Sequence, residues 1–262
     1  MRLEGRAVSP GRAEGEALAS GKPMSFLGGV DRETGTVLDP TSDLRGESVA
    51  GRVLAFPHGK GSTVGSYVLY GLARRGRAPA AIVNERTETI VATGCILGGI
   101  PLVDGIDVSI LRTGDRILVD GGAGAIDVPD VTERPVVTAF LRNRGRVLIV
   151  KRGEKVGTFR GAWSGVSGYL EEGTRPVEQA RQEIREETAM AGARLRSHGP
   201  VIRTRHESTV FAVHPFLFDV PSRRVRLDWE NVEARWVRPE ELGRLTTVPK
   251  LAEVLASVLP RA

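Results

Sequence analysis

Cysteine occurs once in the 262 residues, at Cys95. One thiol excludes an internal disulfide. It also excludes an iron–sulfur cluster or a thiolate zinc site built from this chain alone, since both need several cysteines. Histidine is scarce too: His58, His198, His206 and His214 contain no H-x-x-x-H spacing, so an imidazole metal site has no support. Side-chain amides are limited to Asn84, Asn143, Asn231, Gln179 and Gln182, which beside abundant Arg and Glu fits a thermophilic source. No stretch approaches the roughly 18 consecutive apolar residues of a membrane span. The N-terminus, MRLEGRAVSPGRAEGEAL, has no apolar core of the secretory kind. The expectation is a cytoplasmic protein with no membrane contact.

What the chain has in quantity is carboxylate and guanidinium. Carboxylates are hard oxygen donors, so any metal is expected to be Mg²⁺ or Mn²⁺. Residues 1–132 hold 14 Lys/Arg against 16 Asp/Glu, whereas residues 133–262 hold 23 against 16. The positive field of the second half suits a phosphorylated substrate. An Arg-rich genome explains it equally well, and no basic tail or nucleic-acid motif accompanies it.

The two halves differ in texture. In the first, Arg52–Phe56, Ala80–Val83, Val108–Leu111 and Arg116–Val119 read as strands bounded by turn residues, and Thr63–Arg74 has helical spacing. Asp104, Asp107 and Asp115 flank strand ends, where turn-forming Asp is expected. Periodicity fades near 128–134, the expected linker. In the second half, VVTAFLRNRGRVLIVKRG reads as two strands joined at Asn143–Gly145. Helices are expected over Pro176–Ala189 and Pro249–Leu259, with strands at HPFLFDV and RWV between them. Trp163, Trp229 and Trp236 are expected in the second core.

Glu183, Glu186 and Glu187 lie at i, i+3 and i+4, so a helix brings all three to one face. Such packing is repulsive by a few tenths of a kcal/mol per pair, and a divalent cation reverses the sign. A solvated acidic stripe paired to Arg181 and Arg185 is the plainer reading of an isolated E-x-x-E-E. The glycine-bounded lead-in, Gly168-Tyr-Leu-Glu-Glu-Gly173, distinguishes this one.

The segment GYLEEGTRPVEQARQEIREETAM resembles the Nudix box. Gly168 matches its first glycine, Glu183 and Ile184 its E-U pair (U aliphatic), Glu186 and Glu187 its E-E pair, and Met190 its last apolar position. Thr174, Gln182 and Ala189 depart from it, standing where the family has Glu, Arg and Gly. The resemblance implies an α/β/α sandwich over residues 135–262 that hydrolyses a nucleoside diphosphate-linked or other pyrophosphate substrate. It also implies Glu183 as metal ligand or base, with Glu186 and Glu187 as ligands of Mg²⁺ or Mn²⁺.

Earlier in the chain, His58-Gly-Lys-Gly-Ser-Thr-Val-Gly65 places flexible backbone, the charge of Lys60 and the hydroxyls of Ser62 and Thr63 before a helix. The arrangement suits an anion, and a Gly-rich turn with a capping Ser is the structural alternative. With FLGGVDRETG and TGCILGGIPLVDG, the loop makes residues 1–130 similar to the small subunit of the aconitase X family, whose archaeal members belong to phosphomevalonate dehydratase. The resemblance implies a swivelling β/α domain. It implies that Ser62 transfers the proton as (R)-5-phosphomevalonate loses water to give trans-anhydromevalonate 5-phosphate, with Lys60, Gly61 and Thr63 around the substrate. It further implies a heterodimer with a large subunit that carries the Fe–S cluster. Cys95 reads as a small buried residue.

The leading expectation is therefore a hydro-lyase small subunit fused to a Mg²⁺-dependent Nudix hydrolase. Two alternatives stand beside it. In one, a decayed Nudix domain serves as a binding module; in the other, a stand-alone Nudix enzyme follows a non-catalytic N-terminal domain.

Overall fold

The computed structural model describes residues 1–260. The chain forms two compact units, Met1–Thr132 and Glu133–Ala262. No helix among the described residues is long and apolar enough to cross a membrane.

In the first unit, the strands Val53–Phe56, Ala81–Asn84 and Leu102–Asp104 are buried at every position. Continuous apolar runs of this kind belong to parallel strands covered on both faces. The three run parallel, with Arg12–Ala19 alongside Val53–Phe56. Antiparallel strands Arg116–Asp120, Ala125–Asp127 and Arg2–Glu4 extend one edge, and Arg6–Ser9 closes the other. Helices α1 (Gly65–Arg74) and α2 (Thr89–Gly98) are the crossovers between the inner parallel strands. Leu54, Phe56, Leu69, Leu72 and Ile82 fill one core with Cys95 among them.

Two expectations change here, and one helix, α2, is not read from the sequence. Val108–Ile110 is a 3₁₀ turn, capped by the Asp107 carboxylate accepting the Ser109 N–H at 3.0 Å. Its apolar residues imitate a strand because a single turn can bury most of its side chains. Helix α2 has no helical period in the sequence because it is apolar nearly all round: Val91, Gly94 and Cys95 face inward, while Ile96 and Leu97 are exposed. Residues 128–134, read as a linker, hold the end of the first unit and the opening of a strand. Val128 and Val131 are buried and their carbonyls accept from the Met1 ammonium, and the next strand opens at Thr132.

The second unit is built on an eight-stranded sheet. Its strands Thr132–Asn143 and Arg146–Arg152 pair antiparallel across Arg144–Gly145. Both turn residues have positive φ (49° and 73°), as a two-residue primed turn requires. Alternate residues of the first strand enter different cores. Val137, Ala139 and Leu141 pack with Ala180 and Ile184 of α3 (Pro176–Thr188), and Phe140 packs with Leu251, Val254 and Leu255 of α4 (Leu251–Ala256). Since side chains alternate along a strand, the helices cover opposite faces, an α/β/α arrangement. Helix α4 is shorter than the expected Pro249–Leu259. Trp163 is buried as expected, but Trp229 is 66% exposed.

Ala189 caps α3 in the left-handed region at φ 51°, ψ 23°. A Cβ there costs about 1 kcal/mol relative to glycine. Ala189→Gly is expected to raise the unfolding midpoint of this unit by a few degrees in scanning calorimetry.

Candidate functional site

Helix α3 starts where the sequence sets it: Arg175 is the extended N-cap residue and Pro176 occupies the first turn. Ile184 on its inner side, and Met190 just past its C-terminal end, bury into the core. That anchoring orients the carboxylates. Glu183 lies so close to Gly168 that a Cβ added to the glycine would stand 2.0 Å from its Oε1. The first glycine of the box thus makes room for the first glutamate. Gly168→Ala is expected to displace the Glu183 side chain, lowering any hydrolysis that needs it by about 100-fold. Only a flexible carboxylate has to move, so the thermal midpoint should shift little.

Each box carboxylate holds an amide. Glu183 Oε1 accepts from Gln179 Nε2 at 2.8 Å, Glu186 Oε1 from Gln182 Nε2 at 3.0 Å, and Glu187 Oε2 from Asn231 Nδ2 at 2.6 Å. The Ser167 N–H donates to the other oxygen of Glu187 at 2.9 Å. Burial raises the Glu183 pKa above its ordinary value against the lowering effect of Gln179, and Glu186, Glu230 and Glu171 add to the rise. Glu187 is almost wholly buried, and burial pushes it up to about 8 despite its two donors. Glu230 is raised by burial and by Asp228, with Arg152 opposing. Arg181 donates to the Ala193 carbonyl at 3.1 Å and lies over the Phe218 ring.

Glu171, Glu183, Glu186 and Glu230 line one cavity of about 390 Å³, with Arg152 also on its wall. Two buried polar atoms of lining residues, Ser164 Oγ and Gln179 Oε1, have no hydrogen-bond partner in the protein. Crowded carboxylates with raised proton affinity are short of positive charge, and hard oxygens suit Mg²⁺ or Mn²⁺. Among the described residues no three acidic, His or Cys side chains already converge on an ion position. A cation would therefore have to compete with the amides for the carboxylate oxygens.

Sequence reasoning missed Glu230, Asn231 and the amide bond from Gln179. Asn231 meets Glu187 across 44 residues of chain, and no spacing within WENVEARWV announces that contact.

In the first unit the glycine-rich loop is a short strand, Gly59–Lys60, paired parallel with Met24–Ser25, and a turn into α1. The Glu88 carboxylate accepts the Gly59 N–H at 2.8 Å and the Val91 N–H at 3.3 Å, tying the loop to the start of α2. A Cβ on Gly59 would meet Glu88 Oε1 at 2.1 Å. Gly61 takes φ 101°, a conformation that side chains resist. Ser62 and Thr63 are exposed, and Ser62 Oγ accepts the Val64 N–H at 3.3 Å. The first amides of α1 bond locally: Gly65, Ser66 and Tyr67 donate to the carbonyls of Ser62, Thr63 and Val64. Lys60 Nζ stands 3.3 Å from Asp39 Oδ2, an acidic partner the sequence did not single out. Hydrogen bonds from Thr41, with a smaller contribution from Lys60, hold the Asp39 carboxyl down at about 2. Cys95 is fully buried, and burial pushes its thiol well up.

A parallel β/α unit with a glycine-rich turn, followed by a sheet carrying a carboxylate helix, defines two classes of domain in one chain. Residues 2–128 match the model of the aconitase X swivel domain, and residues 132–260 that of the NUDIX domain. The phosphomevalonate dehydratase small subunit of Thermococcus gammatolerans is 59% identical over 130 residues, 50% of this chain and 99% of that protein. Crystalline Thermococcus kodakaraensis aconitase X (holo-form) is 55% identical over 49% of this chain and 98% of its own, with a TM-score of 0.48. A MutT protein from Methanosarcina mazei Go1 is 22% identical over 48% of this chain and 92% of its own, with a TM-score of 0.43. The chain belongs, through its first half, to the family of phosphomevalonate dehydratase small subunits, and its second half is a NUDIX domain.

Proposed function

We propose that the first unit is the small subunit of a hydro-lyase acting on (R)-5-phosphomevalonate and the second a divalent-cation-dependent diphosphohydrolase. The dehydratase reading is carried by 59% identity across 99% of a curated small subunit. In this reading Ser62 exchanges the proton as the substrate loses its hydroxyl as water, giving trans-anhydromevalonate 5-phosphate. Lys60, Gly61 and Thr63 flank the phosphorylated acid, with Lys60 trading its Asp39 partner for the substrate's charge. A serine hydroxyl is a weak base until strong donors surround it, and a heterodimer with the large subunit completes that environment. The large subunit also contributes the Fe–S cluster, since the one thiol here is buried and protonated. Co-expression with an aconitase X-type large subunit from the same organism, followed by anaerobic assay of phosphomevalonate dehydration, tests this. Failure of the chains to co-purify ends it.

The hydrolase reading is carried by Glu183 lying against Gly168 on the wall of a cavity shared with Glu186 and Glu230. Glu183, half-buried with raised proton affinity, takes the proton of the attacking water, while Glu186 and Glu187 would hold the cation. Bound Mg²⁺ or Mn²⁺ screens phosphate charge and acidifies water. The second reading, a binding module without turnover, is favoured by Gln182 standing in place of the box arginine: it gives Glu186 only a neutral hydrogen bond. Orthophosphate release from diphosphate substrates with Mg²⁺ separates the two, and metal-independent ligand binding with no turnover selects the second.

A further inference from the structure

The NUDIX cavity has two chemically different ends. One end carries the acidic side chains described above. The other is walled by Val136, Phe211, Val213, Val248, Leu251 and Val254, contributed by two strands of the sheet and by α4 with the turn before it. Phe211, Val213, Leu251 and Val254 are themselves members of the core beneath α4, so this wall is a continuation of the hydrophobic interior.

A nucleobase presents several hydrogen-bonding atoms on its edge and is read by side-chain amides, carboxylates or backbone groups placed to pair with them. Here the amide nitrogens on the cavity wall, those of Gln179 and Gln182, donate to Glu183 and Glu186, and the unpartnered Gln179 Oε1 belongs to the same side chain that Glu183 holds. The lining carboxylates are Glu171, Glu183, Glu186 and Glu230, the cluster assigned above to the acidic end. The other polar lining side chains include small hydroxyls: Thr138 bonds Ser167 Oγ at 2.9 Å, and Thr204 and the unpartnered Ser164 Oγ offer a single oxygen each. The aromatic ring of Phe159 is engaged by the protein itself, its centroid 4.7 Å from that of His206 and 6.0 Å from that of Phe211. A base in the apolar end would leave polar edge atoms unpaired, which opposes binding. A hydrocarbon gains roughly fourfold in affinity for each methylene it buries.

We propose that this cavity takes the diphosphate ester of a short hydrocarbon alcohol, with the diphosphate at the acidic end and the hydrocarbon against the valine and leucine wall. The inference rests on reading the unit as a cation-dependent diphosphohydrolase. The reaction is hydrolysis of the phosphoanhydride. The oxygen of water bonds to one phosphorus, the bond from that phosphorus to the bridging oxygen breaks, and the products are the alkyl monophosphate and orthophosphate, with the water's proton released through the carboxylate to solvent.

The full chain with Mg²⁺ is assayed for orthophosphate release from 3-methylbut-3-enyl diphosphate and from ADP, and binding of both is measured calorimetrically with Ca²⁺ replacing Mg²⁺. The expected result is at least a tenfold preference for the alkenyl diphosphate in kcat/KM and in Kd. Val248→Asn, a change at a partly exposed position of the apolar wall, is expected to weaken alkenyl diphosphate binding about tenfold and to leave ADP binding unchanged or improved. A preference for ADP, or a Val248→Asn variant that weakens both ligands equally, overturns the substrate assignment while leaving the hydrolase reading intact. Tighter alkenyl diphosphate binding with no turnover of either compound supports the cavity assignment and removes the hydrolase reading. Binding of neither overturns the assignment.

Discussion

Ser62→Ala is expected to lower the dehydration rate of the assembled hydro-lyase by about 1,000-fold, the scale of losing a positioned proton-transfer group. The local structure gives the substitution little else to disturb. Ser62 is exposed, and among its bonds the hydroxyl's acceptance of the Val64 N–H is long at 3.3 Å. The loop is held instead by Glu88, which takes the Gly59 and Val91 amides, and by parallel pairing with Met24–Ser25. The variant should therefore fold and co-purify with the large subunit as the parent does. Equal activity of Ser62→Ala and wild type would remove Ser62 from the mechanism. A loss of co-purification would move its role from chemistry to assembly.

Glu187→Gln is expected to lower cation-dependent hydrolysis by about 1,000-fold while making the cation-free protein more stable at alkaline pH. The two effects have one cause. The Glu187 carboxyl is buried and its pKa is raised from 4.5 to about 8. Between those values the unfolded chain has released the proton and the native protein keeps it, so the native state binds more protons and stability falls as pH rises. The penalty is absent below the unfolded value and is complete above about 8. With a chelator present, the unfolding transition of the second unit should move to lower temperature between pH 5 and pH 9, and the glutamine variant should flatten that dependence. Added Mg²⁺ should stabilise the parent protein most at high pH, where the carboxylate is charged, and the variant less. A wild-type midpoint that does not fall with pH would remove Glu187 as a buried, strained acid. In the variant the Asn231 amide must turn to meet the new side-chain amide, because in the parent Asn231 Nδ2 faces the Glu187 oxygen at 2.6 Å.

Much of this protein is legible along the chain because its signals are local. The start of α3 at Pro176, the i, i+3, i+4 spacing of Glu183, Glu186 and Glu187, and the tight turn within Asn143–Gly145 each lie within a few residues of chain, where backbone sterics and helical geometry decide the outcome. The aconitase X and Nudix motifs likewise are short runs whose residue types carry their own meaning. Elements that are apolar on every side are not legible. Helix α2 and the 3₁₀ turn at Val108–Ile110 bury residues without a period, and what covers them is set by distant strands.

The sequence by itself determined the order of the two domains, the carboxylate face of α3 and the glycine-rich turn, because each follows from neighbours along the chain. Only the tertiary structure decided what those groups face. It brought Asn231 to Glu187, Glu230 to the cavity beside the box helix and Asp39 to Lys60. It also lined one cavity with both the acidic cluster and an apolar wall. Such pairings join residues far apart in sequence, and their proximity is a product of how the sheets pack.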